Sequence, residues 1–454
     1  MSKHILLSVT LLLAFILVGV IKSVAQTQGD SVFIYHKDGV TVDKYGCLDI
    51  VKIAHDTKQA KVYTNLLGDD IPFDTPEIND ISKVVFRFAG DAGKDTISVD
   101  ITNLEMADAN ATLSTKILFA YLKYYQGKKL LTSTMADVNW NNEGADHEKQ
   151  LSGKYPAIHC YDFVHIMADG TWINYNDLTP VNEWVARGGV VSLMWHFNVP
   201  MTEKDYEEGN MNNVTYSPDK TTWKAANIYV EGTWENKWFY SQMDKVAGVL
   251  LKLQDEGVSA LWRPFHEASG NMYNNQGWPK TAWFWWGADG AEAYVKLWKT
   301  MKTYFEGKGI HNLIWVWTGT AAVGNTDADS PYYPGKENVD IVGADCYGFT
   351  LQQLKTQFDG LTALYPDKMI TLAECGHMTE TQNGTTVITA EMPKMSEVWA
   401  AGAKFLYFMP WYDKDFEDGK TNDSKMFPKA YWQDAMGMKD IINLDNWRID
   451  ENKE

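Results

Sequence analysis

Cysteine is scarce in this sequence. Four residues in a chain of 454 cannot form a disulfide framework, and no Cys-x-x-Cys pair supplies half of a zinc site. Positive charge is also short, with 41 Lys and Arg against 59 Asp and Glu and a formal net charge of −18. Nucleic acids and anionic membrane surfaces are bound by clustered Lys and Arg, so this balance argues against both as partners. Past the first 25 residues no apolar run reaches the ~20 residues needed to cross a bilayer. Dinucleotide, phosphate-loop and serine-hydrolase signatures are missing. His266-Glu267 does not open a zinc-protease helix, because Gly270 stands where the second His must be. No metal and no other cofactor is expected. With 45% apolar and 22% charged residues, the composition is that of a globular protein, which excludes disorder, collagen-like repeats and coiled coil for the bulk of the chain.

What the sequence has in surplus is aromatic rings with polar tips, 19 Trp and 23 Tyr. Rings in such number often form flat apolar platforms, for which sugars are common ligands. The first 25 residues read as a secretory signal. Lys3 supplies the charged start, Ile5 to Ile21 the apolar run and Ser23-Val24-Ala25 a small-x-small cleavage site. An uncleaved anchor is the alternative, since the run approaches spanning length. Cys47 lies too far downstream for a lipid-modified start. Removing Met1–Ala25 takes away two Lys and no acids, leaving −20 from −18. The expected location is secreted, periplasmic or on the cell surface of a bacterium.

Residues 26–102 read as a small β-rich module. Ser31–His36, Leu48–Ala54, Lys61–Asn65 and Val84–Phe88 alternate as strands do, and Lys37-Asp38-Gly39 forms a hairpin-type turn between the first two. Nothing in the module suggests chemistry. From residue 103 to 454 the texture changes. Eight nearly continuous apolar runs follow: Lys129–Asn139, Ala157–Ile166, Val190–Phe197, Ser259–Glu267, Asn312–Gly319, Val339–Gly348, Asp367–Gly376 and Phe405–Asp413. Such runs suit parallel strands covered on both faces. Amphipathic helices lie between several of them, at Ser241–Gly257, Ala291–Gly307, Leu351–Tyr365 and Glu391–Gly402. The fifth connection, Thr320–Asn338, has little helical period. Eightfold strand–helix alternation predicts an α/β fold, a (β/α)8 TIM barrel with the small β-rich module N-terminal to it.

Chemistry in such barrels sits at the C-terminal strand ends. Here those ends read Trp195-His196-Phe197-Asn198, Arg263-Pro264-Phe265-His266-Glu267, Asp345-Cys346-Tyr347-Gly348, Ala373-Glu374-Cys375-Gly376 and Pro410-Trp411-Tyr412-Asp413. Glu267 and Glu374 close strands four and seven and can face one another across the mouth. Paired carboxylates flanking a bond are the machinery of glycoside hydrolysis, one protonated to donate and one ionised to attack. His266, Arg263 and Tyr347 are placed to hold the attacking carboxylate ionised and oriented. His196, at a strand end beside Trp195, suits a substrate contact. Asp327 and Asp329 lack the full spacing of a calcium loop and read as a solvated loop.

These motifs resemble glycoside hydrolase family 26, the retaining β-mannanases. Trp195-His196, Arg263 to Glu267, Trp283-Phe284-Trp285-Trp286-Gly287, Asp345 to Gly348, Ala373 to Gly376 and Trp411 occur in order over roughly residues 105–445. The resemblance implies Glu267 as general acid/base and Glu374 as nucleophile. It implies His196, Arg263, His266, Tyr347 and Trp411 around the sugar at the cleavage point, with Trp283 shaping the site beside the acid/base. The expected activity is a monomeric endo-β-1,4-mannanase acting with retention on mannan, glucomannan or galactomannan. Xylan or β-glucan is the alternative substrate, and a non-catalytic glycan-binding protein the alternative class. The chain departs from the family in two places. Met272 to Ala282 is an insertion expected over the cleft, and Tyr412 stands where an Arg often follows the tryptophan. The long connection Val199–Phe239, with Trp223, Tyr229, Trp234 and Trp238, either walls the cleft or packs on its own rings. Cys346 and Cys375, on adjacent strands, are expected to be small buried fillers.

Overall fold

The computed structural model describes residues 101–446 apart from 102, 138, 271–281, 322–324, 383–384 and 413–423. It also describes the backbone of six strands between residues 31 and 100. The signal segment, the Lys37-Asp38-Gly39 turn, Cys47 and all of the Met272 to Ala282 insertion except Ala282 lie outside the described residues.

Eight parallel strands close into a barrel. In chain order they are β1 (Leu130–Met135), β2 (Ile158–Asp162), β3 (Val190–Trp195), β4 (Ala260–Pro264), β5 (Leu313–Gly319), β6 (Ile341–Tyr347), β7 (Met369–Gly376) and β8 (Tyr407–Pro410). Each pairs with its neighbour in sequence, and β8 pairs with β1 through Tyr407 opposite Leu131 to complete the ring. All eight fall within the apolar runs. Burial on both faces explains why those runs do not alternate, since every residue of β1, β2, β3, β4, β5 and β7 is buried. The two sides are nonetheless distinct. Ile158, Cys160, Val190, Met194, Leu261, Ile314 and Val316 join one cluster with the helix Leu113–Tyr125, whose Leu113, Ile117 and Tyr121 belong to it. Their neighbours Tyr161, Val191, Leu193, Trp262, Trp315 and Trp317 face the surrounding helices. At the opposite end from the strand C-termini, Thr115 Oγ1 and Ser259 Oγ lie 2.9 Å apart, tying that helix to the start of β4.

The helical layer departs from the sequence expectation in two places. The helix after β3 begins at Trp234 rather than Ser241, because the Thr233 side chain accepts from the Asn236 backbone N–H at 3.2 Å and caps it there. Trp234 and Trp238 thus belong to a helix, not to a wall of the cleft. The helix after β7 is shorter than expected, Met395–Ala400. The fifth connection carries only single turns at Ser330–Tyr332 and Lys336–Asn338 among its described residues, in line with its missing period. Upstream, Ser31–His36, Val42–Gly46, Ile81–Arg87 and Ser98–Asp100 form a four-stranded antiparallel sheet, and Ile50–His55 pairs with Ala60–Thr64. Val42–Gly46 and Ser98–Asp100 are strands that the alternation pattern did not single out.

Candidate active site

The carboxylate of Glu374 stands on β7 with its register partner Asp345 on β6. Between them runs Arg263 from β4, 2% exposed and spent entirely on fixed partners. One terminal guanidinium nitrogen donates to Glu374 Oε1 at 2.7 Å, the other to Asp345 Oδ2 at 2.5 Å, and Nε donates to Thr318 Oγ1 at 2.9 Å. Tyr347 Oη donates to the second Glu374 oxygen at 2.6 Å. Each carboxylate oxygen keeps a further lone-pair direction. Arg263 therefore lies beneath the site and orients Glu374, rather than surrounding a sugar.

Glu267 reaches the same mouth by an unusual backbone. Phe265 and Glu267 both have positive φ, +48° and +51°, a left-handed conformation that costs a non-glycine residue of order ~1 kcal/mol or more. Three later side or main chains hold it in place. Tyr294 Oη donates to the Phe265 carbonyl at 3.1 Å, Trp286 Nε1 donates to the His266 carbonyl at 2.8 Å, and the Glu267 N–H donates to the Thr318 carbonyl at 3.1 Å. The Glu267 carboxyl is pushed up to about 8, first by burial and then by the charge of Glu374, with Asp329 adding to the rise and Arg263 opposing it. One guanidinium already faces two carboxylates, so a further negative charge is disfavoured. Glu267 is thereby a protonated acid at neutral pH, beside a Glu374 that accepts from two donors.

The remaining predicted residues divide. His196 does come to the mouth, 5.8 Å from Trp411 and 4.5 Å from His266 between ring centres. Asp162, at the end of β2, accepts from the His196 backbone N–H at 3.1 Å and pairs with ring Nδ1 at 2.5 Å. Trp195 turns away, stacked on Phe197 at 3.9 Å in the layer behind the strands. His266 lies beside His196, deeper in the same wall. Its ring packs on His196, Phe284 and Trp286, and burial, with His196 and Arg263 nearby, drives its pKa well below the usual imidazole range. A neutral imidazole lends no charge to hold Glu374 ionised. Trp411 is partly exposed, and its backbone N–H donates to the Cys375 carbonyl at 3.2 Å. Trp283 is half-exposed and lies against the turn after Glu267. A Cβ on Gly270 would come within 2.4 Å of its ring.

Asp329 overturns the solvated-loop reading. It is 4% exposed, receives a short hydrogen bond from Ser269 Oγ and accepts from the Ala321 backbone N–H at 3.1 Å. It thus ties the fifth connection to the segment just after Glu267. Trp223 and Trp234 pack on one another at 5.4 Å, Trp223 also lies against Trp285, and Trp238 Nε1 donates to the Asn198 carbonyl. These three rings pack among themselves and the helices. Tyr229 is exposed, with Lys296 over its face at 3.5 Å. The ring that the same connection does bring to the mouth is Tyr216, partly exposed and 5.5 Å from His196, which sequence reasoning passed over. Asp162 was also missed, although it is an acid at the C-terminal end of a strand, the same end at which Glu267 and Glu374 lie. Cys346 and Cys375 are register partners, both buried and free, facing outward from the barrel.

Residues 107–440 match the profile of glycosyl hydrolase family 26. The chain belongs to that family. Among solved structures, the family 26 domain of an endo-beta-mannanase/endo-beta-glucanase from Prevotella bryantii is 45% identical, with a TM-score of 0.67 over 75% of this chain and 98% of that one. A beta-mannanase from a symbiotic protist of the termite Reticulitermes speratus, complexed with gluco-manno-oligosaccharide, is 28% identical, with a TM-score of 0.59 over 76% and 97%. A mannan endo-1,4-beta-mannosidase of Thermothelomyces thermophilus is 29% identical over 76% of this family 26 chain and 63% of its own length. A mannan endo-1,4-beta-mannosidase A of Piromyces is 27% identical over 80% and 54%. The chain spans less than two thirds of these two curated relatives.

Proposed function

We propose that the chain is an endo-acting β-1,4-mannanase that hydrolyses mannan, glucomannan or galactomannan with retention by double displacement. The observation that carries the reading is the contrast between the two glutamates. Glu374 accepts from Arg263 and Tyr347, while the Glu267 pKa is pushed up to about 8 by burial and the Glu374 charge. In the first step a Glu374 oxygen bonds to the anomeric carbon. The glycosidic C–O bond breaks and Glu267 passes its proton to the leaving oxygen. In the second step Glu267, now a carboxylate, takes a proton from water. The water oxygen bonds to the anomeric carbon and Glu374 departs. His196, Trp411, Trp283 and Tyr216 line the path of the sugar chain. The mannan assignment draws on relatives that carry that activity in their names.

The same proposal includes secretion through Met1–Ala25, a structural module in residues 26–102, a catalytic unit from residue 103 and action as a monomer. Reducing-sugar release from mannan, glucomannan, galactomannan, xylan and mixed-linkage glucan tests the substrate. Activity on xylan or mixed-linkage glucan with none on mannan overturns it. Glu374→Ala is expected to lose about 10³-fold or more, and a variant as active as wild type would leave glycan binding alone. Proton NMR of the first product should show the β-anomer. The α-anomer would mean inversion.

A further inference from the structure

The connection after β2 carries Trp172, the most exposed large apolar side chain among the described residues at 66%. A single exposed ring is ordinary on a protein surface, but three features set this one apart. It rises from the C-terminal face of the barrel, where the carboxylates are, because it follows the end of β2. The connection is joined to the site, since Asn198 Nδ2, two residues beyond His196, donates to the Val164 carbonyl at 2.9 Å. And the turn that presents the ring is built to stay fixed. Gly170, with φ +80°, donates to the Ile173 carbonyl at 2.9 Å. Asp169 accepts from the Tyr175 backbone N–H at 2.8 Å, and Lys245 Nζ donates to the Met167 carbonyl at 3.1 Å.

The ring is also not alone. The His165 imidazole meets it edge to face at 4.6 Å and is only partly buried. An apolar face with a hydrogen-bonding edge beside it is what a pyranose ring needs, because its C–H face is apolar and its rim is hydroxylated. We infer that Trp172 and His165 form an outlying subsite that stacks a neutral hexose unit of the polysaccharide, at a distance from the cleavage point. This inference rests on the glycanase reading and extends it to one further sugar unit. A preformed platform requires no ordering of a loop when the chain binds.

The contrast that tests it is chain length. With β-1,4-manno-oligosaccharides of three to six units, Trp172→Ala should reduce kcat/KM on the longest about tenfold, through KM, and leave the shortest cleaved substrate within about twofold. Trp172→Tyr should restore most of the loss. A loss equal at every length, or none at any length, overturns the subsite. If wild type cleaves a xylo- or gluco-oligosaccharide series instead, the mannan reading falls. The same length contrast on that series then decides the subsite separately.

Discussion

At the scale of single residues, the site is an exercise in unequal carboxyls. Arg263 is shared between Asp345 and Glu374, while Glu267 has the negative charge of Glu374 and Asp329 to contend with. Its raised pKa fixes the sign of the pH response. In the proposed mechanism the first chemical step requires the protonated form, so kcat/KM should fall as pH rises through about 8. Asp329→Asn removes one of the charges that raise Glu267, so the basic limb of the kcat/KM profile should move to lower pH. A limb left in place would mean that Asp329 acts only through its hydrogen bonds. The two glutamates were legible in the sequence because each lies near the C-terminal end of an apolar run in a recognisable barrel. Asp329 was not, because it lies in a connection without period and its burial depends on Ser269, 60 residues earlier. The neutral state of His266 was hidden for a similar reason, since it follows from burial. Adjacency to Glu267 in sequence says nothing of the direction its ring takes when the backbones on either side have positive φ.

At the scale of elements, the turn from Phe265 to Gly270 depends on rings supplied downstream. Thirteen of the seventeen described tryptophans are buried. Several donate their indole N–H to a carbonyl, as Trp285 does to Phe197 and Trp286 to His266. Most of the described tryptophans are therefore interior packing, some of them fastening loops, and only a few rings remain for platforms. Composition cannot distinguish these uses, because each needs an apolar body and a polar tip. Gly270→Ala makes the dependence measurable. The added methyl group must displace Trp283 or the turn below it, so kcat/KM should fall by up to about 10²-fold, with little change in thermal midpoint because Trp283 is half-exposed. An unaltered kcat/KM would show that Trp283 can move without consequence.

For the whole molecule, the eight strands were legible to within a few residues because both faces of each are buried, which leaves long apolar runs. The upstream strands were less so, with two of them short and unmarked by alternation. The family match begins at residue 107, and the Prevotella bryantii domain matches over 98% of its length while covering 75% of this chain. A chain beginning at residue 101, just before Leu113–Tyr125, should therefore keep the kcat/KM of the full chain on soluble oligosaccharides to within about twofold. A loss of about tenfold or more would give residues 26–102 a part in the reaction.

The barrel is closed by β8 against β1, residue 407 beside residue 131. During synthesis the first strand is therefore made long before its last partner exists. Until β8 emerges, the nascent sheet has two open edges, β1 and the most recently made strand, each with unpaired backbone donors and acceptors. The step most exposed to aggregation is thus the last one, and a ribosome that stalls or terminates before residue 407 leaves a sheet whose two edges can pair with neighbouring chains but have lost the strand that joins them.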